Sequence, residues 1–173
     1  MQKLFTSFFL SAILTAVPAG AATPATPSPS PQIDHVYVTE AGKYIVSYTQ
    51  TDNGSTNGAA PTPTAHVRYL PASDAIHLGD NPRFGFRYSL VGSPDGADVE
   101  IKCVTIFPKP GAQKPGAAAP LPREESTWPR ALGDAYYCGY AINDNWQKIP
   151  GDWTFEIWHG DKKLATQTFN LVP

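Results

Sequence analysis

The spacing of the apolar residues is the strongest constraint in this sequence, because they recur at every second position in short runs separated by turn residues. The clearest runs lie at residues 84–90 and 153–157. Successive side chains of a β-strand point to opposite faces of its sheet, so a period of two predicts strands with one buried face. The pattern therefore favours an all-β protein.

The composition argues against long helices. Proline accounts for 18 of the 173 residues, and only 16% of the residues are charged. A proline inside a helix costs about 3 kcal/mol or more, and coiled coils and helical bundles are rich in charged helix formers. These helical classes are therefore excluded.

About seven or eight strand segments, separated by turns, follow one another from Ile33 to the C-terminus, and the last two form a hairpin. This number and spacing predict two antiparallel sheets packed face to face, as an immunoglobulin-like β-sandwich. No repeat of 20 to 50 residues occurs, which argues against a propeller or a solenoid. We expect a single sandwich domain at residues 33–173.

The first 32 residues have a different character. Residues 1–21 combine Lys3, an apolar run and the small-residue pattern Ala19-Gly20-Ala21, which together indicate a secretory signal peptide. The apolar run is shorter than the roughly 20 residues of a membrane span, so we expect no stable span in the mature protein. Residues 22–32, rich in Pro, Ala and Thr, predict a disordered tether. The protein is thus expected to be secreted to a periplasmic or extracellular location.

Two segments predict long loops. Residues 108–129 contain six prolines and no apolar periodicity, and residues 51–64 are rich in Gly, Asn, Thr and Pro. Long irregular segments of this kind in compact domains tend to be functional or mobile, although a tolerated surface insertion is the simpler interpretation.

The only cysteines, Cys103 and Cys138, each fall within a predicted strand. An exported protein with an even number of cysteines tends to oxidise them, so we predict a structural disulfide. It would close a loop around the proline-rich segment and stabilise the fold by about 3 to 4 kcal/mol. Two free thiols, or a redox or metal site, are the alternatives. The C-x-x-C spacing of a redox site is absent.

Signatures of chemistry are absent from the sequence. The 13 basic and 15 acidic residues form no basic cluster, which argues against a nucleic-acid partner. Neither G-x-S-x-G nor S-x-x-K occurs, and the four histidines are isolated in the sequence. We therefore predict no catalytic residue, no metal site and no cofactor. A triad or a metal site assembled from distant residues is the alternative.

Tryptophans offer the best binding candidates. Alternation places Trp158 and Glu156 on the face of their strand opposite to the more apolar set, where an aromatic ring beside a polar group could receive a sugar ring or a partner's side chain. Trp128, at the end of the proline-rich loop, and Trp146 are further candidates for a binding surface.

Two stretches resemble a known family. The closing segment 151–158 with Gly160-Asp161, Leu164 and Phe169, and the middle segment with Arg83-Phe84-Gly85 and residues 99–108, resemble the bacterial domain of unknown function 3859 family. The resemblance implies the same fold and a bacterial envelope setting, and it supplies no activity.

These observations predict a non-catalytic binding or accessory module of the bacterial cell envelope, whose partner is an envelope or extracellular protein or glycan. The alternatives are an envelope-directed hydrolase acting on glycan or peptide, and a metal-handling periplasmic protein. Edge strands and aromatic patches are the surfaces through which such a module could bind.

Overall fold

The computed structural model describes residues 30–50, 63–70 and 75–173. The predicted signal peptide at 1–21, the tether up to residue 29, and residues 51–62 of the first predicted loop lie outside these ranges. Within them, no helix has the length and apolar character needed to cross a membrane.

The described part of the chain is an all-β sandwich, as predicted, with nine strands where seven or eight were expected. In chain order its strands are β1 (Gln32–Gln50), β2 (Pro63–Tyr69), β3 (Ile76–His77), β4 (Arg83–Ser93), β5 (Asp98–Ile106), β6 (Arg123–Ala131), β7 (Ala135–Ala141), β8 (Gly151–His159) and β9 (Lys162–Val172). One sheet has the order β2-β1-β4-β7 and the other β3-β9-β8-β5-β6. The strands pair antiparallel, except that the short β3 runs parallel to β9.

The predicted loop at 108–129 is wrong over its last seven residues, which belong to β6. This strand pairs with β5 along its whole length, from Arg123 opposite Ile106 to Ala131 opposite Asp98. A proline within a strand is tolerated at a sheet edge when its missing N–H faces away from the neighbouring strand, and β6 is an edge strand that contains Pro129. The irregular excursion is therefore limited to residues 107–122.

Strand β1 is unusually long and continues without a break through Ala41 and Gly42. Its first part pairs with β4, and its last part, from Tyr44 onward, pairs with β2. Two register shifts against β4, between Ile33 and His35 and between Val38 and Glu40, act as β-bulges that bend the strand. One long bent strand therefore serves two neighbours.

Aromatic side chains from both sheets form the centre of the core. The predicted inward faces of β4 and β8 are buried, and Phe84, Trp153 and Phe155 are fully inaccessible to solvent. The Phe84 ring meets Trp153 and Phe155 edge-on, at centroid distances of 5.4 and 5.5 Å. The indole N–H of Trp153 donates to the Ile149 carbonyl at 2.9 Å, which satisfies its polar atom.

A disulfide joins Cys103 of β5 to Cys138 of β7, as predicted, with a Cα–Cα distance of 6.0 Å. Because β5 and β7 belong to different sheets, the bond links the two layers. It lies at the side of the sandwich where β6 and β7 are the outermost strands.

Three glycines lie side by side across the other sheet. Gly42, Gly85 and Gly139 occupy opposite positions on β1, β4 and β7. A Cβ atom at Gly85 would overlap the Cys138 carbonyl oxygen and the Gly139 backbone. Strands β4 and β7 can therefore pack this closely only because Gly85 and Gly139 have no side chains.

Replacing Gly85 with alanine is expected to lower the free energy of unfolding by about 1–3 kcal/mol, because the obstructing atoms are backbone and cannot rotate away. Urea denaturation measures the change. Gly79→Ala is the matched control, since a Cβ there meets nothing within 4 Å. Equal stabilities of the two variants would contradict the close approach.

Removing the disulfide with the double substitution Cys103→Ala and Cys138→Ala is expected to lower the free energy of unfolding by about 3 kcal/mol. The bond closes a loop between residues 35 positions apart, which restricts the unfolded chain. Urea denaturation of the oxidised wild type, the reduced wild type and the double variant provides the comparison. An unchanged midpoint on reduction would refute the stabilising role.

Candidate functional site

The outer face of the five-stranded sheet carries Glu156 and Trp158. Their strand, β8, buries Trp153, Phe155 and Ile157 on its inner face, and the alternation of side chains sends Glu156 and Trp158 outward, as predicted. Trp158 lies opposite Lys102 of β5 and Lys163 of β9, so cationic side chains flank it on both neighbouring strands.

Hydrogen bonds hold these outward side chains in place. The indole N–H of Trp158 donates to Glu156 Oε2 at 2.9 Å, and Lys163 Nζ donates to Glu156 Oε1 at 2.8 Å. Both carboxylate oxygens are therefore engaged, and Glu156 is only 9% exposed. The Lys163 ammonium also lies 5.6 Å from the centroid of the Trp158 ring, within cation–π distance. The half-buried indole is thus fixed in one orientation.

The protonation of Glu156 reflects these contacts. Burial alone would raise its pKa, but the hydrogen bonds from Lys163 and Trp158, together with the positive charges of Lys163 and Arg123, hold the pKa below its ordinary value. The carboxylate is therefore ionised at neutral pH and acts as an acceptor for its two donors.

A shallow depression lies on each side of Trp158, and we call the two together the Trp158 trough. One has a volume of about 150 Å³ and reaches Arg123, and the other has a volume of about 280 Å³ and reaches Thr127. Both are bounded by the charged side chains Lys102, Glu125 and Asp161. An ordered aromatic ring surrounded by donors and acceptors is suited to binding a polar ring or a polar side chain.

The structure does not bring the other candidate tryptophans to this trough. Trp128 projects from the opposite face of the same sheet, because it pairs with the buried Ile101, and it is 51% exposed. Its ring lies against the Arg130 guanidinium, 5.7 Å from the centroid. Trp146 lies in a short 3-10 turn after β7 and packs partly against the core. The three tryptophans therefore occupy three separate places.

Sequence reasoning missed the lysines that flank Trp158, and it missed a second cavity. Lys163 contacts Glu156 because of the register of the β8–β9 hairpin. In the sequence, the only sign of this contact is that Lys163 lies close to the turn at 160–161.

The second cavity, which we call the edge cleft, has a volume of about 640 Å³ and opens between β6 and β7. Its lining comes from β5, β6, β7 and the irregular segment, a combination that no local motif reveals. The lining residues are Cys103, Thr105, Lys114, Leu121, Arg123, Glu124, Glu125, Ser126, Gly139 and Tyr140.

Three of the four histidines, His35, His77 and His159, have different contacts. His159 Nδ1 is 2.9 Å from the Glu100 carbonyl oxygen, His77 Nδ1 is 3.3 Å from the Pro173 carbonyl oxygen, and the ring of His35 meets Tyr37. Across the described ranges, no group of three His, Cys, Asp or Glu side chains is arranged to hold a metal ion.

Comparison with known proteins identifies the fold. No family model and no curated protein matches the sequence. Among solved structures, the chain resembles an immunoglobulin-like protein from Pseudomonas aeruginosa, with a TM-score of 0.51 and 16% sequence identity over 80% of this chain and 97% of that one. At this identity the likeness shows the fold alone. The predicted immunoglobulin-like β-sandwich is therefore confirmed.

The substitution Glu156→Gln is expected to lower the free energy of unfolding by about 1 kcal/mol at pH 7, because it weakens two charge-assisted hydrogen bonds. The folded-state pKa of Glu156 lies below its unfolded value near 4.5, so its contribution is present above that pH and is lost as the pH falls toward the folded pKa. Denaturation of both proteins from pH 7 to pH 3 should show the difference shrinking on acidification. A constant difference would contradict the charged role of Glu156.

Proposed function

We propose that this protein is a non-catalytic β-sandwich module of the bacterial cell envelope, and that it binds an envelope glycan at the Trp158 trough. The observation that carries the proposal is the fixed indole on the outer face of the five-stranded sheet, held by the buried Glu156 and flanked by lysines. A preorganised ring loses little conformational freedom on binding, which favours affinity.

The chemistry of the trough supports a saccharide. The face of an indole packs against the C–H groups of a sugar ring, and the surrounding Lys102, Glu125 and Asp161 can exchange hydrogen bonds with hydroxyl groups. Glu125 itself pairs with Lys102 at 3.5 Å and with Arg123 at 2.8 Å, so the rim carries both signs of charge. The depressions are shallow and open, which suits a segment of a polymer better than an enclosed small molecule.

The ionisation of Glu156 supports a binding role over a catalytic one. A carboxylic acid that donates a proton during glycoside cleavage needs a raised pKa. The pKa of Glu156 is instead lowered, and both of its oxygens already accept hydrogen bonds. Its role in this proposal is to position Trp158.

An extracytoplasmic setting is consistent with the fold and the covalent chemistry. The Cys103–Cys138 bond is compatible with an oxidising compartment, and residues 1–21 have the pattern of a secretory signal peptide.

Trp158→Ala is expected to weaken glycan binding by about tenfold or more, because it removes the stacking surface. The probes are an array of bacterial envelope polysaccharides and purified peptidoglycan sacculi in a sedimentation assay. Trp128→Ala is the matched control, since it removes an exposed tryptophan from the opposite face of the same sheet.

Three results would overturn the proposal: binding to none of these glycans, equal binding by the Trp158→Ala variant, or loss of binding in the Trp128→Ala control. Release of reducing ends from a bound glycan would instead indicate the hydrolase alternative. Thermal unfolding of each variant checks that the fold is retained.

A further inference from the structure

Strand β6 has a free side. It is the outermost strand of its sheet, and among the described residues only β5 pairs with it. In an antiparallel strand, alternate residues direct both backbone groups toward one neighbour and the residues between them direct theirs away. The Leu132 N–H donates to the Ala97 carbonyl at 2.9 Å, and the Pro122 carbonyl accepts from the Phe107 N–H at 3.0 Å. Even-numbered residues thus face the β5 side, and odd-numbered residues face away.

The C-terminal half of this free edge is closed. Pro129 has no N–H to offer. The Ala131 N–H donates to the Tyr136 hydroxyl at 2.7 Å, so the chain itself occupies the next outward position. The carbonyl of Glu100, the β5 residue opposite Pro129, also points away from β6. It lies 2.9 Å from His159 Nδ1, on the other side of β5. Proline and local capping are common means of blocking a sheet edge.

The N-terminal half is open. Arg123, Glu125 and Thr127 are exposed, and their outward N–H and C=O groups have no hydrogen-bond partner among the described residues. Unpaired backbone groups in a row form a template for another extended chain. The contrast with Pro129 and Ala131 shows that the edge is blocked selectively.

The edge cleft lies beside this open half. Glu124 and Ser126, which point to the inner face of β6, line it together with Thr105 of β5 and Tyr140 of β7. A strand added along residues 123–127 would therefore direct every second side chain into a cavity of about 640 Å³. The closed half of the edge has no part in lining this cavity.

We propose that the N-terminal half of β6 binds an extended peptide segment of a partner protein as an additional strand, with alternate side chains of the peptide in the edge cleft. Main-chain hydrogen bonds supply affinity in this mode of recognition, and the cavity supplies selectivity. The site adjoins the Trp158 trough without using the same groups: the peptide would pair with the backbone of residues 123–127, whereas the side chains of Arg123, Glu125 and Thr127 bound the trough.

The lining selects the peptide's side chains. The Lys114 ammonium is already paired with Glu124 at 2.8 Å, and the Tyr140 hydroxyl accepts from Gln147 Nε2 at 3.1 Å. Because the charges are paired and hydroxyl groups are present, neutral polar side chains such as Ser, Thr, Asn and Gln fit the cleft best.

The test is selection of random linear peptides, displayed on phage, against the full-length protein. Recovered peptides should bind the wild type and the Thr127→Val variant equally, and should bind the Thr127→Pro variant about tenfold more weakly, because proline removes one outward N–H. A proline at this edge position takes no hydrogen bond from β5, so the fold is expected to persist. Circular dichroism and thermal unfolding verify it.

Methylating the amide nitrogens of a recovered peptide one at a time provides an independent readout. Strand addition predicts that binding is lost at every second position only. A pattern without this alternation, peptides that bind Thr127→Pro as well as wild type, or failure to recover any binding peptide would overturn the proposal. Loss of peptide binding in the Trp158→Ala variant would place the peptide in the trough and would also overturn the proposal.

Discussion

The burial of Trp153, Phe155 and Ile157 between the two sheets is the constraint on which the rest of the structure depends. These side chains are fully inaccessible to solvent, and Trp153 and Phe155 pack edge-on against Phe84 of the opposite sheet. Because successive side chains of a strand point to opposite faces, a slip of one residue would bury the charged and polar set instead. The outward placement of the Trp158 trough is therefore a direct consequence of the core.

The two-layer architecture also leaves exposed strand edges, which can pair with other chains unless they are blocked. On β6, Pro129 and the Tyr136 hydroxyl block one half of the edge. The first part of β1 pairs only with β4, and two β-bulges bend it there. The disulfide from Cys103 to Cys138 ties the layers together beside the edge cleft, which Cys103 also lines. The cleft can thus stay open without the two sheets separating at that side.

Much of the fold could be predicted because its signal is local. The period-two runs identified most strands and their buried faces, and the pair of cysteines suggested the bridge. Strand β6 escaped notice because an edge strand with mostly exposed residues has no apolar alternation, and because Pro129 looked like a loop residue. The continuation of β1 through Gly42 has no local signal, because a glycine within a strand resembles a turn in sequence. The Lys163–Glu156 pair depends on hairpin register, and the hairpin's register shift beside Trp158 has no sequence signature.

The sequence by itself determined that the chain is built from strands, which residues face inward, and that Trp158 and Glu156 point outward together. Only the tertiary structure decided that Lys102, from a strand more than 50 positions earlier, lies beside Trp158, and that Trp128 and Trp146 lie elsewhere. The physical reason is that side-chain alternation is a property of each strand alone. Neighbours across a sheet depend on strand order and register, which arise from long-range pairing and from the packing of one sheet on the other.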